Sequence, residues 1–487
     1  MSRPNILIFN PDEMRVGALG HLGHPAASTP YLDRFAREDA VSFRQAYCQN
    51  PVCVPSRCSF LTGLYPHVRG HRTMAYLLRE GEPTLFTRLR EAGYYVWMNN
   101  RNDLMARQIP GLIDAQADEI HYAERSRRIP ADAPGKEAYN QAMRTAYPYS
   151  HFIGVMGEEL PQDRSDVEAL IERIRRPLPD GEPLCMFLGL GNPHPPYMVE
   201  EEYYQRIDRS KLPERVRWNE TEGKSRIMDL LHENYGLQAW TEEDWDELRQ
   251  IYLAQCAKVD EWFGRIVRAL KEEGLYDQTA IFVLSDHGDF AGDYDLPEKA
   301  QNTFEDCLTK VPLLIKPPKD CPVDPGVTNS LAELVDFYAT VLDYAGVQSG
   351  QDHFGRSLRP VLEDREASVR SYVHCEGGRR PSEVHCDEYH SHGPEGTSPK
   401  SPYWVRMVAQ LDPLAHEKGT MVFDGRYKYV QRLSGNDEFY DLVLDPSEKI
   451  NRFEEYREST VLQRLKEELL HWYQETSDIV PYDYDSR

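Results

Sequence analysis

The chain has 487 residues, and its 80 acidic and 56 basic side chains give a formal net charge of -24. This length favours two domains, one large and one small, with a sizeable buried core. The negative charge argues against binding to nucleic acid or to an anionic membrane, because such polyanions repel the chain at long range. An anionic small substrate would therefore need a local basic pocket.

The first residues predict a strand rather than a signal peptide. The short apolar segment ends at Asn10, Asp12 and Glu13, and no small-residue cleavage site follows. No apolar run approaches the roughly 20 residues that span a bilayer, so we expect a soluble protein without a membrane partner. The nine cysteines are odd in number and contain no CxxC pair. This usage favours a cytoplasmic location and argues against a thiolate zinc site.

Short apolar segments alternate with helical patterns along the first two thirds of the chain, which predicts an α/β sheet flanked by helices. Several segments are apolar throughout, as buried central strands are. The predicted strands are residues 5–10, 94–99, 184–190, 280–286 and 311–318.

Three helices are predicted between these strands. Thr29 and Pro30 begin the first, "TPYLDRFARED", and Gly93 ends the second, "PTLFTRLREAG". The longest runs from about Thr241 to Glu273, with a capping-box start and periodic apolar residues.

The composition and periodicity of the sequence change after about Pro360, so we divide the chain into domains of residues 1–370 and 371–487. A Gly/Pro/His-rich stretch over residues 375–404 predicts a long loop. Turn signals at residues 424–425 and 435–436 then predict a small antiparallel sheet. An amphipathic helix is predicted from about Thr460 to Glu475.

Candidate chemical groups follow several predicted strands, where open α/β sheets bind their ligands. Asp12 ends the first strand, and Asp286 and His287 belong to "SDHGD" after the fourth. A single Asp in this position is commonly a turn or cap residue. Together, these three residues form an oxygen-rich set that suits Ca²⁺, Mg²⁺ or Mn²⁺ better than a structural zinc.

Two further groups carry possible acid and nucleophile chemistry. His194 lies between prolines in "NPHPPY", which limits its motion and suits a general acid; a surface turn histidine is the alternative. Cys53 comes just before a helix that Pro55 and Ser56 are expected to begin. A helix N-terminus lowers a thiol pKa and attracts anions, and Arg57 would face the same place. The alternative is a buried thiol that only packs.

The segment from Cys53 to Gly63 resembles the type I sulfatase signature C-x-P-S-R-x-x-x-L-T-G at every defined position. Asp12, "SDHGD", "NPHPPY", Lys299 and the C-terminal "DGRYKYV" also occur in the order typical of sulfatases. The resemblance implies the alkaline-phosphatase superfamily fold: a large catalytic domain with a central, mostly parallel sheet between helices. It also implies a small C-terminal domain, with a short antiparallel sheet and a helix, that contributes to the substrate pocket.

The same resemblance implies a mechanism. A maturation enzyme oxidises Cys53 to Cα-formylglycine, whose hydrate attacks sulfur while Arg57 supports it. The metal, most often Ca²⁺, is held by residue 53 with Asp12, Asp286 and His287. His194 and Lys299 bind the sulfate and protonate the leaving oxygen, and the second hydroxyl of the hydrate then expels sulfate.

The sequence departs from the sulfatase pattern at two places. Glu13 stands where many sulfatases have a second aspartate, which leaves its role as a metal or substrate ligand open. "NRND" replaces "GKWH", so Arg101 takes the place of a sulfate-binding lysine and Asp103 that of a histidine. The base for sulfate release could then be Asp103, His67 or His71.

The expected substrate is a small anionic sulfate monoester, preferably of a sulfated sugar or glycan fragment. Arg379 and His385 belong to a loop over residues 376–392 that could hydrogen-bond such a substrate; a solvated linker is the alternative. Phosphonate monoester hydrolase, phosphodiester hydrolase and choline sulfatase are the nearest alternative activities. A non-catalytic binding protein on this fold is a third hypothesis, and a homo-oligomer is possible.

Overall fold

The computed structural model of the protein describes residues 3–105, 109–123, 152–156, 161–176, 178, 181–391, 403–480 and 482. The strands in these ranges are β1 (Asn5–Asp12), β2 (Val41–Tyr47), β3 (Tyr95–Asn99), β4 (Glu119–His121), β5 (Phe152–Met156), β6 (Leu184–Pro193), β7 (Tyr197–Glu200), β8 (Thr279–Leu284), β9 (Leu313–Lys316), β10 (Gly326–Glu333), β11 (Val373–Gly377), β12 (Gly419–Phe423), β13 (Tyr427–Arg432) and β14 (Glu438–Asp441).

The α-helices in the same ranges differ widely in length. They are Pro30–Glu38, Cys53–Thr62, Pro66–Arg69, Leu85–Glu91, Pro161–Arg175, Glu201–Tyr204, Arg226–Tyr235, Glu242–Glu272, Asp306–Thr309, Leu334–Ala345, Arg359–Glu363, Glu388–Ser391, Trp404–Ala409, Phe453–Tyr456 and Thr460–Thr476. Among the described residues, no helix combines the length and apolarity needed to cross a bilayer.

Eight strands form one central sheet in the order β10-β2-β9-β8-β1-β6-β3-β4. Only β9 runs antiparallel to its neighbours, so the sheet is mostly parallel, as predicted. All five predicted strands belong to it. Alternate side chains of β1 enter different cores: Leu7 and Phe9 pack on one face, Ile6 and Ile8 on the other.

Helices cover both faces of this sheet, which explains why its central strands are apolar throughout. Glu242–Glu272 packs on one face, and its start is the predicted capping box of Thr241 and Asp244. Cys53–Thr62 and Leu334–Ala345 pack against each other on the opposite face. The predicted α/β architecture is therefore confirmed.

A second, four-stranded antiparallel sheet has the order β11-β12-β13-β14. Its turns follow the predicted signals at residues 424–425 and 435–436, and the helix Thr460–Thr476 packs against it. The stretch predicted as a loop contains the end of β11, residues 375–377, and the short helix Glu388–Ser391, while its residues 392–402 lie outside the described residues. The division of the chain near residue 370 stays a prediction.

Candidate active site

The order of four neighbouring parallel strands, β8-β1-β6-β3, brings the candidate residues to one edge of the central sheet. Each strand is followed there by polar side chains: Asp286 and His287 after β8, Asp12 and Glu13 at β1, His194 after β6, and Arg101 and Asp103 after β3. Residues far apart in sequence therefore converge because their strands end side by side.

Cys53 is the first residue of the helix Cys53–Thr62, whereas the sequence predicted that the helix begins after it, at Pro55 and Ser56. The helix is buried along its whole length and ends at Gly63, whose φ of 72° is the left-handed conformation that glycine favours. Cys53 Sγ lies 3.1 Å from Nε2 of His287 and 3.6 Å from Oδ1 of Asp12. Burial, reinforced by the charge of Asp12, raises the pKa of the thiol.

Two arginines neutralise the carboxylates around Cys53. Arg57 donates from Nη2 to Asp12 at 3.0 Å and from Nε to Asp286 at 2.7 Å, and all three side chains are fully buried. Arg101 donates from Nη2 to the same Asp12 oxygen at 2.8 Å. Burial favours the neutral acid, but Arg57 and the other cations hold the pKa of Asp12 well below its usual range.

Asp12, Cys53, Asp286 and His287 each offer one ligand atom, and these atoms all lie within 4.8 Å of one another. The arginines contact Oδ2 of both carboxylates, whereas Oδ1 of Asp12 faces Cys53 and His287. Two carboxylates and an imidazole form a donor set that fits a divalent cation with a preference for oxygen ligands.

Glu13 forms a second, overlapping group with Lys299 and His194. Its Oε2 accepts a hydrogen bond from Lys299 Nζ at 2.6 Å and lies 3.5 Å from Nε2 of His194. Its Oε1 is buried and has no hydrogen-bond partner among the described residues. Burial raises the pKa of Glu13 well above its ordinary value, although Lys299 opposes this shift.

The backbone of Glu13 is left-handed, with a φ of 68°. Two hydrogen bonds hold this conformation: the Glu13 N–H donates to Oδ1 of Asp286 at 3.1 Å, and its carbonyl accepts from the Tyr252 hydroxyl at 2.9 Å. The side chain that departs from the sulfatase pattern is therefore fixed next to Lys299 by the same carboxylate that belongs to the metal-ligand set.

His194 and Lys299 carry opposite pKa shifts. Burial and the Lys299 charge lower the pKa of His194 well below its ordinary value. Burial also opposes the charge of Lys299, but nearby Cys53, Glu13 and Asp12 raise its pKa well above the ordinary value. Nδ1 of His194 lies 2.6 Å from the carbonyl of Pro195, so this nitrogen carries the hydrogen and Nε2 faces the site.

Arg101 and Asp103 occupy the more open side of the cluster. Asp103 has 41% of its side chain exposed and lies 3.8 Å from Arg57 and 3.9 Å from Arg101. Burial opposes the Arg101 charge, but Asp103 and Asp12 raise the pKa of this guanidinium.

The two other candidate bases are engaged in contacts with different parts of the chain. His67 bonds through Nδ1 to Glu376 at 2.7 Å and through Nε2 to the carbonyl of Thr476 at 2.8 Å. His71 contacts the Tyr76 carbonyl and Oε2 of Glu82 at 2.9 and 3.0 Å. Their roles as base or substrate ligand stay predictions.

The candidate substrate-binding residues of the C-terminal loop differ in exposure. Arg379 is buried and donates from Nη2 to Asp387 at 3.0 Å. His385 is exposed, and its ring centroid lies 6.1 Å from that of Tyr76. Both lie in the described part of the predicted loop, and their assignment to substrate stays a prediction.

Tyr403 and Arg406 were not anticipated from the sequence. Arg406 lies over the Tyr403 ring at 4.7 Å and donates from Nε to Glu388 at 3.3 Å. The phenol of Tyr403 interacts electrostatically with Lys299, and burial raises its pKa to about 12. No motif marks these residues, because they follow a polar stretch without periodicity and meet the site only through tertiary packing.

Comparison with known proteins identifies the family. Residues 4–347 match the model of the family described as Sulfatase. The chain belongs to the sulfatase family. It is therefore a sulfuric ester hydrolase of the alkaline-phosphatase superfamily.

Similar proteins match almost the whole of this sulfatase. Arylsulfatase K of Xenopus laevis is 24% identical over 451 residues, which cover 87% of this chain and 74% of the relative. The phosphonate monoester hydrolase of Agrobacterium radiobacter has a TM-score of 0.72 at 20% identity and covers 99% of this chain and 100% of its own. A 2-O GAG sulfatase has a TM-score of 0.70 at 19% identity, with coverages of 98% and 93%. These structural similarities establish the fold.

Proposed function

We propose that this sulfatase hydrolyses a sulfate monoester of a sulfated sugar or glycan fragment, with residue 53 supplying the nucleophile. The observation that best supports this proposal is the position of Cys53 at the start of a buried helix, 3.1 Å from His287 and 3.6 Å from Asp12. A thiol with a raised pKa is a weak nucleophile at neutral pH, which supports its conversion rather than its direct use.

Two groups complete the site when present. A divalent cation, which we propose to be Ca²⁺ with Mn²⁺ or Mg²⁺ as alternatives, would be held by residue 53, Asp12, Asp286 and His287 and would neutralise sulfate oxygens. Cα-formylglycine at position 53, made by a maturation enzyme, would supply the hydrated aldehyde as nucleophile. Arg57 orients both carboxylates for these groups.

The remaining side chains would act on the sulfate and on the leaving group. Arg101 presents a fixed positive charge to the sulfate oxygens, as guanidinium geometry allows. Lys299 stabilises negative charge on the leaving oxygen, since its raised pKa keeps it protonated. His194 faces the site with Nε2 and would protonate the departing oxygen; because its lowered pKa leaves Nε2 without a hydrogen in the free enzyme, it would take up that proton when the anionic sulfate binds.

The sugar assignment is supported by the polar surroundings that the C-terminal domain adds near Lys299, including Tyr403 and Arg406. Hydroxyl, guanidinium and carboxylate groups are the partners that a polyhydroxylated leaving group requires. We further propose that the enzyme is cytoplasmic, in agreement with its cysteine usage. We also propose that it can form homo-oligomers.

The second candidate activity is phosphonate monoester hydrolysis. Hydrolysis of a phosphodiester and hydrolysis of choline sulfate are related alternatives. Glu13 favours this second candidate, because a single aspartate after the first strand is a feature of those branches. The similarity to the Agrobacterium radiobacter phosphonate monoester hydrolase adds support at the level of fold.

Mass spectrometry of the peptide that contains residue 53, from protein made in its native host, tests the nucleophile. We expect a mass about 18 Da below that of the cysteine peptide, because a thiol is replaced by an aldehyde. Cys53→Ala should abolish turnover, whereas Cys58→Ala, in the same buried helix, should remain active. An unmodified thiol in fully matured, active protein would contradict the proposal.

Activity on paired substrates tests the reaction. Matured enzyme with Ca²⁺ is assayed on p-nitrophenyl sulfate and p-nitrophenyl phenylphosphonate, and then on a panel of sulfated saccharides. We expect sulfate esters to be preferred and one saccharide to exceed both aryl esters in kcat/KM. A strong preference for the phosphonate would favour the second candidate.

A further inference from the structure

The segment that carries Lys299 depends on the C-terminal domain for its shape. Glu298 and Asn302 on either side of Lys299 have left-handed backbones, with φ of 60° and 62°. Such conformations cost about 1–2 kcal/mol for residues other than glycine, so the surroundings must hold them. Asn302 Nδ2 donates to the carbonyl of Ala415 at 3.0 Å, and Arg432 Nη2 donates to the Asn302 carbonyl at 3.3 Å.

Gln301 is the side chain through which this segment meets a buried polar network. Its Nε2 donates to Oε1 of Glu388 at 2.6 Å, and its Oε1 lies 2.7 Å from Nε2 of His416. A carboxylate only accepts hydrogen bonds, so the amide nitrogen must face Glu388 and the amide oxygen must face His416. His416 therefore donates from Nε2 to Gln301.

The other ring nitrogen of His416 faces a carboxylate. Nδ1 lies 2.9 Å from Oδ1 of Asp387, and Asp387 accepts a further hydrogen bond from Nη2 of Arg379 at 3.0 Å. Burial opposes ionisation of Asp387, but the hydrogen bonds from His416 and Arg379 lower its pKa. Both ring nitrogens of the buried His416 therefore face oxygen atoms, one of Asp387 and one of Gln301.

We propose that His416 is a positioning residue for Lys299, acting through its hydrogen bond to Gln301, two residues from the lysine. This inference rests on the proposed function, in which Lys299 acts at the leaving oxygen. Lys299 Nζ lies 2.6 Å from Glu13, and a displacement of about 1 Å can cost roughly 100-fold in rate. Arg379, at the far end of the network, holds Asp387 and through it the orientation of His416.

The two amide substitutions of His416 separate its two hydrogen bonds. In His416→Gln the amide nitrogen replaces Nε2 and can still donate to Gln301, whereas in His416→Asn it replaces Nδ1 and reaches only Asp387. Both variants replace the same imidazole ring by an amide. A purely structural role predicts similar losses, while positioning of Lys299 through Gln301 predicts that only the Asn variant is impaired.

The experiment measures kcat of the matured enzyme with Ca²⁺ on p-nitrophenyl sulfate and phenyl sulfate. Phenolate is the poorer leaving group and depends more on stabilisation by Lys299. We expect His416→Asn to lose roughly 10-fold to 100-fold on phenyl sulfate and clearly less on p-nitrophenyl sulfate. His416→Gln should retain most of both activities.

Two further variants test the same contact without His416 and control for the loss of a buried histidine. Gln301→Met, which keeps side-chain volume and leaves the His416–Asp387 contact in place, should reproduce the leaving-group-dependent loss even if His416→Asn fails to fold. His374→Asn disrupts another buried histidine, 3.3 Å from Glu333, and should affect thermal stability without altering the ratio of the two rates.

Equal losses in the Asn and Gln variants, or losses independent of the leaving group, would overturn the inference about His416 and leave the proposed function standing. If the matured wild-type enzyme hydrolysed neither sulfate ester nor any sulfated saccharide, the proposed function would fall, and this inference with it.

Discussion

Nε of Arg57 lies 2.7 Å from Oδ2 of Asp286, and the same guanidinium contacts Asp12 at 3.0 Å. One fully buried cation thus compensates two carboxylates of the metal-ligand set. Removal of one partner from a buried ion pair typically costs about 3–5 kcal/mol, because an uncompensated charge remains in the interior. Arg57 is therefore expected to support both folding and metal binding.

Arg57→Lys should lower kcat/KM by roughly 100-fold or more, since a lysine ammonium cannot donate to both carboxylates with the guanidinium geometry. Activity on p-nitrophenyl sulfate and Ca²⁺ affinity by calorimetry measure the effect. Arg370→Lys is a matched control, because Arg370 also contacts two buried carboxylates, of Glu333 and Asp336. The control should lose stability without losing Ca²⁺ affinity; equal Ca²⁺ affinity in both variants would contradict the prediction.

Removal of the metal should abolish turnover and lower the thermal stability. A ligand at one hundred times its Kd stabilises the folded state by about 2.7 kcal/mol, so Ca²⁺ should raise the Tm of chelator-treated protein. Asp286→Asn should eliminate this shift. Asp289→Asn is the control from the same "SDHGD" segment, because Asp289 bonds to the Tyr197 hydroxyl at 2.8 Å. A Ca²⁺-induced shift that persists in Asp286→Asn would exclude Asp286 as a ligand.

The edge of the sheet that carries the site could be predicted from sequence. The strands that lead to Asp12, His194 and Asp286 are apolar runs, because helices cover them on both sides. The strands β2 and β10 were not recognised, since residues such as Arg44, Gln45 and Asn329 interrupt the apolar pattern toward the border of the sheet.

The surroundings of Lys299 could not be derived in the same way. Gln301 and His416 are 115 residues apart, and nothing in the local pattern of either segment indicates their contact. Contacts of this kind arise from the packing of the C-terminal part of the chain against the segment that carries Lys299. Sequence motifs identify the groups that perform chemistry, whereas the residues that hold those groups carry no local signature.

Lys299→Met should lower kcat on phenyl sulfate by roughly 100-fold or more, as loss of a charged donor at a developing anion does. The loss on p-nitrophenyl sulfate should be smaller, because that leaving group needs less stabilisation. Lys428→Met is the control, since Lys428 is a buried lysine bonded to Asp306 at 2.6 Å, away from the metal-ligand set. Equal losses on both esters in Lys299→Met would argue against a role at the leaving oxygen.

A further prediction concerns the pH dependence of stability at Asp166. This residue is fully buried on the helix Pro161–Arg175, with Oδ1 at 3.7 Å from Nε2 of His121. Burial raises the pKa of its carboxyl to about 7, despite an opposing contribution from Asn99. In the unfolded chain the same carboxyl has a pKa of about 3.9.

Between about pH 4 and pH 7 the unfolded chain therefore releases a proton that the folded protein keeps, and the free energy of unfolding falls as pH rises. Asp166→Asn removes this titration and should raise the free energy of unfolding at pH 8 by a few kcal/mol, with little change at pH 4. Urea unfolding from pH 4 to pH 8 measures the difference. Glu172→Gln, an exposed acid on the same helix, should follow the wild-type curve. If the free energy of unfolding changed with pH in the same way for wild type and Asp166→Asn, Asp166 would ionise at an ordinary pKa.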